Sequence, residues 1–168
     1  MAGGAQIEAR DSDTGATPLH LAADFNHPNI VKTLVDVYKA SINVTDEYGN
    51  SALHLASDKG HVDVIKILLH FGHCDVNSKG QFGQTALHES CQEGHVACIQ
   101  ELLAGGAQVE ARSSDIEATP LHLAASISHV DGDTAVDDAR SEGHQEIVAL
   151  LEAKIKGKLI RCTALLHE

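Results

Sequence analysis

A seven-residue phrase, Thr17-Pro18-Leu19-His20-Leu21-Ala22-Ala23, recurs along this chain and constrains its fold more than any other feature. It returns as Ser51-Ala52-Leu53-His54-Leu55-Ala56-Ser57 and as Thr85-Ala86-Leu87-His88-Glu89-Ser90-Cys91. The fourth copy, Thr119-Pro120-Leu121-His122-Leu123-Ala124-Ala125, restores the first letter for letter. The copies start at residues 17, 51, 85 and 119, a constant step of 34. Such a period, held over most of a chain, implies like units stacked side by side.

Each unit reads as two short helices. Thr17, Ser51, Thr85 and Thr119 are good N-caps, and Pro18 and Pro120 fall at a first helical position, where an N–H has no partner anyway. Leu19, Leu21 and Ala22 are expected to bury one side of the first helix, which Gly60 and Gly94 end in their units. Apolar pairs such as Ile30/Val31 and Leu34/Val35 recur at helical spacing and predict a second, amphipathic helix. Helices this short do not stand alone, because nucleation is costly. Stability has to come from the neighbours.

The second helices carry the matched phrases Gly60-His61…Val64-Ile65…Leu68-Leu69 and Gly94-His95…Cys98-Ile99…Leu102-Leu103. With the seven-residue phrase, these resemble ankyrin repeats over residues 2–153. The resemblance implies an all-α repeat solenoid of stacked helix-turn-helix repeats with short β-hairpin finger loops, here turning at Gly49 and Gly83. Glu117 stands where the next finger should have glycine, and strain is expected there.

Three segments follow. Residues 1–131 hold repeats one to three plus the first helix of repeat four, and begin in mid-unit, since residues 2–23 nearly duplicate 104–125. Residues 132–156 form a last, capping repeat, and 157–168 a tail. The step from Thr119 to Thr134 is 15, so 19 residues of the period are absent. The short connection near Asp131–Asp133 cannot return the chain for regular stacking. Residues 134–156 are therefore expected to reorient, with Ile147, Val148, Leu150 and Leu151 filling the outer slot behind the fourth inner helix.

The chain has 168 residues, 43% of them hydrophobic, which suffices for a sizeable core. Net charge is −12, and residues 1–153 carry 8 basic and 23 acidic groups. Nucleic acid needs a basic footprint, so that class is disfavoured. The sequence has neither an apolar run of membrane-spanning length nor the basic-then-apolar order of a signal peptide. Cys74, Cys91, Cys98 and Cys162 lack disulfide-framework spacing, which fits a reduced, intracellular setting, cytoplasmic or nuclear.

Twelve histidines raise the question of metal. His20, His54, His88 and His122 share one repeated position, and His27, His61, His95, His129 and His144 another. Repetition at structural register favours hydrogen bonding to loops. His70, His73 and Cys74 alone have ligand-like local spacing, and zinc would need a closed set that nothing completes. No nucleophile motif or phosphate loop is present. No catalytic residue, metal or cofactor is expected.

What the resemblance implies instead is a protein-binding surface on the finger tips and the exposed ends of the first helices. The expected partner-binding residues are Asp13, Asp24, Phe25, Glu47, Tyr48, Asp58, Lys59, Phe82, Glu93, Asp115 and Ile116. Tyr48, Phe82 and Ile116 form a ladder at identical positions, where side chains also often pack on the next finger. The carboxylates favour a partner with a basic and apolar surface. A regulatory subunit that blocks or positions an enzyme through this face, and a purely structural repeat fragment, natural or engineered, are the alternatives. Asn77 is a hydroxylation candidate: Leu69, Asp75, Val76 and Asn77 resemble the pattern in ankyrin substrates of an asparaginyl hydroxylase, which Asn43 matches less well.

Overall fold

The computed structural model of the chain describes residues 6–71, 73–126 and 145–157. Seven helices follow one another as α1 (Pro18–Asp24), α2 (Pro28–Asp36), α3 (Ala52–Asp58), α4 (Val62–His70), α5 (Ala86–Glu93), α6 (Val96–Ala104) and α7 (Pro120–Ser126). An eighth, α8, spans 145–157. Helices α1, α3, α5 and α7 pack in sequence as an inner layer, α2, α4 and α6 as an outer one, and α1, α3 and α5 each pack on the outer helix that follows. Neighbour-on-neighbour packing of this kind is a solenoid.

The recurring phrase sets this frame through its histidine. His54 Nδ1 accepts the Ser51 N–H (3.1 Å), closing the first turn of α3, while Nε2 donates to the Ser78 carbonyl (3.0 Å) in the next finger. His20 and His88 repeat the arrangement on Thr17 and Asn50, and on Thr85 and Ala118. His61 and His95 reach backwards, each bonding the carbonyl at the end of the preceding inner helix, Asp24 and Asp58 respectively. Both repeated histidine positions therefore link one repeat to the next. Burial pushes the imidazoles of His20, His54 and His88 below their usual pKa, which keeps them neutral in these roles.

One continuous core runs through the stack, from Leu19 and Val31 through Leu53, Ile65, Leu87 and Ile99 to Ala124. Two expectations about it need correction. The second leucine of the phrase is not a core residue in the first two repeats: Leu21 is 44% exposed and Leu55 half-buried, because Ala22 and Ala23, and Ala56 and Ser57, turn inward instead; in the fourth repeat Leu123 is buried. Ile30 shares its register with Val64 and Cys98, yet it is 50% exposed while they are sealed. An outer helix covers each of those two from the preceding repeat, and none among the described residues covers Ile30.

The fingers are narrower than hairpins of two strands. Each closes through one backbone hydrogen bond, Asp11 N–H to Ala16, Asp46 to Asn50, Gly80 to Gln84 and Ser113 to Ala118, and the described residues show one isolated bridge, Thr45 to Ser51. Residues 127–144, which include the irregular step after Thr119, lie outside the described part. Beyond them Ile147 and Leu151 are fully buried in the common core, Val148 packs against it, and Leu150 is half-buried. Lys154 donates to the Leu103 carbonyl (3.4 Å), so α8 lies beside the end of α6 in the outer layer. Ile147, Val148 and Leu151 thus join the core and Leu150 contributes little, while the reorientation expected of residues 134–144 lies outside the described residues.

Candidate functional site

Inner helices and fingers together form one side of the solenoid, and a cleft of about 520 Å³ opens there between repeats two and four. Its walls come from the finger residues Phe82 and Ile116 and from Leu55 and Leu123 on α3 and α7. Asp58, Glu89 and Asp115 supply its carboxylates, and Asn50, Gln81, Gln84 and Gln92 its neutral polar groups.

Finger geometry holds the apolar rim outward. Tyr48, Phe82 and Ile116 are 53%, 59% and 66% exposed, so each points to solvent rather than packing under its neighbour. Phe82 also adopts a left-handed backbone (φ 56°), a conformation that side chains other than glycine's rarely take. The fingers brace one another: Ser114 N–H donates to the Phe82 carbonyl (2.8 Å), and Gln81 N–H to Asn50 Oδ1 (2.9 Å). The rim is thus presented on a cross-linked scaffold.

Of the partner-binding residues expected from the sequence, the cleft brings together Asp58, Phe82, Asp115 and Ile116. Lys59 pairs with Asp58 (2.7 Å), and Asp24 and Glu93 add to the negative field around its ammonium, which raises the Lys59 pKa. Asp13, Phe25, Glu47 and Tyr48 are not part of the cleft. Asp13 lies in the first finger, Phe25 is exposed at the end of α1, and Glu47 and Tyr48 occupy the tip of the second finger.

Glu89 is the residue that sequence reasoning missed. It stands where the other three phrases have leucine, and treating that position as core hid it. The signal was the change from Leu-Ala-Ala to Glu-Ser-Cys in the third phrase. Burial pushes the Glu89 carboxyl up to about 8, and Asp58, Asp46 and Glu93 push the same way against a small opposing effect of Lys59.

Other chemically suggestive residues are occupied structurally. Among the described residues no group of three or more His, Cys, Asp and Glu side chains is placed to hold a metal. His70 sets its ring edge against Phe71, and Cys74 packs partly against the core. Burial pushes the Cys74 and Cys98 thiols to about 11 and Cys91 to about 12, which makes all three poor nucleophiles. Asn77 bridges to the next loop: its Oδ1 accepts Gln108 N–H (2.8 Å) and its Nδ2 donates to Gly106 (3.3 Å). Asn43 does the same with Asp75 and His73.

Paired helices in two layers, linked by histidines and projecting fingers, define a helical repeat solenoid. The family model described as ankyrin repeats (3 copies) matches residues 2–80 and 69–161. The chain belongs to the ankyrin-repeat family, whose members are generally protein–protein interaction modules. No curated protein matches it. No helix among the described residues is long and apolar enough to cross a membrane.

Proposed function

We propose that this chain is a non-catalytic module that binds a partner protein on the concave side formed by its inner helices and fingers. The supporting observation is the cleft in which exposed Phe82 and Ile116 rise beside half-buried carboxylates. Apolar side chains held out on braced loops lose little freedom on binding and make good anchors. The surrounding acids favour a partner with basic groups and steer its approach. Hydrogen exchange of the complex with a captured partner tests the reading: protection is expected on the fingers and inner helices, and protection confined to α2, α4 and α6 would overturn it.

Asn77 is proposed as a hydroxylation acceptor on the strength of its sequence context. Its amide is engaged with the next loop, so the enzyme would have to open that loop before reaching the side chain. Mass spectrometry after incubation with an ankyrin-directed asparaginyl hydroxylase should show one added oxygen on the Asn77 peptide and none on the Asn43 peptide. An unmodified Asn77 peptide ends the idea.

A further inference from the structure

Glu89 is out of place in its own repeat. The position holds leucine in the three other phrases, and in the structure it faces the cleft rather than the core. Its carboxylate has no hydrogen-bond donor or ion-pair partner among the described residues. A desolvated carboxylate without a partner is costly to keep, and a leucine there would serve the fold at least as well. What surrounds it is a recess with apolar walls, Leu55, Phe82, Ile116 and Leu123, and a second carboxylate, Asp58. That combination matches one kind of side chain: a long apolar stem ending in a cation.

We propose that this cleft is the receptor for a single basic side chain of the partner protein, an arginine for preference, with its stem between Phe82 and Leu123 and its head on Glu89 and Asp58. Arginine suits the site better than lysine because its planar head can pair with carboxylates and lie against an aromatic ring together. The inference rests on the protein-binding reading above and deepens it by naming what the partner must present.

Charge complementarity has a measurable companion. The groups bearing on Glu89 are Asp58 and Lys59 at the end of α3, Asp46 in the second finger and Glu93 on its own helix. From the fourth finger Asp115 lines the same cleft, α7 contributes Leu123, and His95 at the start of α6 is held on the Asp58 carbonyl. Burial first, and then three nearby carboxylates against one ammonium, leave the free site proton-loving. With the Glu89 pKa at about 8, the carboxyl is mostly protonated at neutral pH. An arriving cation must displace that proton. Binding therefore tightens as pH rises from 6 to 8 and levels off above.

The test uses the folded full chain and phage-displayed random peptides selected at pH 8. Peptides seated on the cleft should share an arginine or lysine among apolar residues. Replacing that residue by alanine should weaken binding roughly tenfold or more, and Glu89→Gln should do the same. Combining the two changes should cost little beyond either alone. Calorimetry at pH 7 in two buffers of different ionisation enthalpy should show close to one proton released per peptide, a release lost in Glu89→Gln. Glu89→Leu, which restores the residue of the other repeats, provides a second folded variant. Cleft-seated peptides without a basic residue, or a basic residue worth as much against Glu89→Gln as against the unaltered chain, would overturn this inference and leave the protein-binding reading standing. Selected peptides that all seat on the outer helices would overturn both.

Discussion

Helix α3 carries Leu55 where α5 carries Glu89, although the two helices are otherwise set in the same way. Both begin at a capping Ser51 or Thr85 whose N–H is taken by a histidine, and both seal the Ala-Leu-His turn that follows in the core. Both are tied forward through that histidine to the next finger. The residues that make the frame recur almost letter for letter, while the residues facing the cleft vary. Within such a chain, departures from the repeat on the exposed side of an inner helix are where a binding function can be written without loss of fold.

The shared part of the comparison should give the largest effects. His54→Ala and His88→Ala each remove three hydrogen-bond contacts and a fully buried ring. Each is expected to cost roughly 2–4 kcal/mol in urea unfolding, by similar amounts in the two repeats. A loss under about 1 kcal/mol at either site would show that the frame is not common to both. Acid should act through the same groups. Their pKa values are lowered in the fold, so the unfolded chain takes up the protons first, and their contribution to stability is present above pH 6.5 and lost as pH falls below it.

The position that differs comes next. The Glu89 pKa is raised in the fold, so its effect has the opposite sign: no cost below about pH 4.5, and a growing one as pH climbs to about 8. Glu89→Leu should stabilise the protein on the order of 1–3 kcal/mol at pH 8 and much less at pH 5, allowing for the partial exposure of the carboxylate. Unfolding midpoints of the two proteins across this range give the answer, and a gap that does not widen with pH would contradict it. Glu89→Leu also isolates the histidine contribution, since the remaining pH dependence near 6 belongs to the buried imidazoles.

At the surface the second and third repeats should differ less from each other than either does from the frame. Tyr48→Ala and Phe82→Ala are expected to speed dissociation of a concave-side partner, each at a cost of about 1 kcal/mol or more, with helicity unchanged by circular dichroism. Reversing Glu47 and Asp58 together should mainly slow association, with a deficit that shrinks in high salt. Unchanged rates in both experiments would remove these residues from the interface.

How far the sequence revealed this molecule follows the same division. Phrase, caps and apolar pairs located the helices and most of the core, because those positions answer to local geometry and to burial in every repeat. Leu21 and Ile30 were misjudged because exposure depends on what lies alongside, which a period cannot tell. Glu89 was missed for a related reason: leucine at its position reads as core, as Leu123 is, and only the exposure of Leu21 and the half-burial of Leu55 show that this side of the earlier inner helices faces outward. The burial of Ile147 and Leu151 was legible from the short connection that the 19 absent residues leave, while the path of that connection lies outside the described residues.

The smallest expected effect lies in the fingers, where Gly49 and Gly83 meet Glu117 at one repeated position. All three have left-handed backbones, with φ of 87°, 68° and 55°. A left-handed residue with a Cβ is strained by roughly 1–2 kcal/mol, whereas glycine there is relaxed but loses more chain entropy on folding. Glu117 is exposed, and the bond from Arg112 goes to its main-chain carbonyl, which survives any substitution. Glu117→Gly should therefore stabilise the protein by about 0.5 kcal/mol. Gly49→Ala should do the reverse by about 1 kcal/mol through strain alone, because a Cβ there would meet nothing closer than 3.7 Å. Thermal midpoints measured side by side would show the opposite signs. If Glu117→Gly lowers the midpoint, the fourth finger holds its left-handed turn through contacts of the glutamate side chain and not in spite of it.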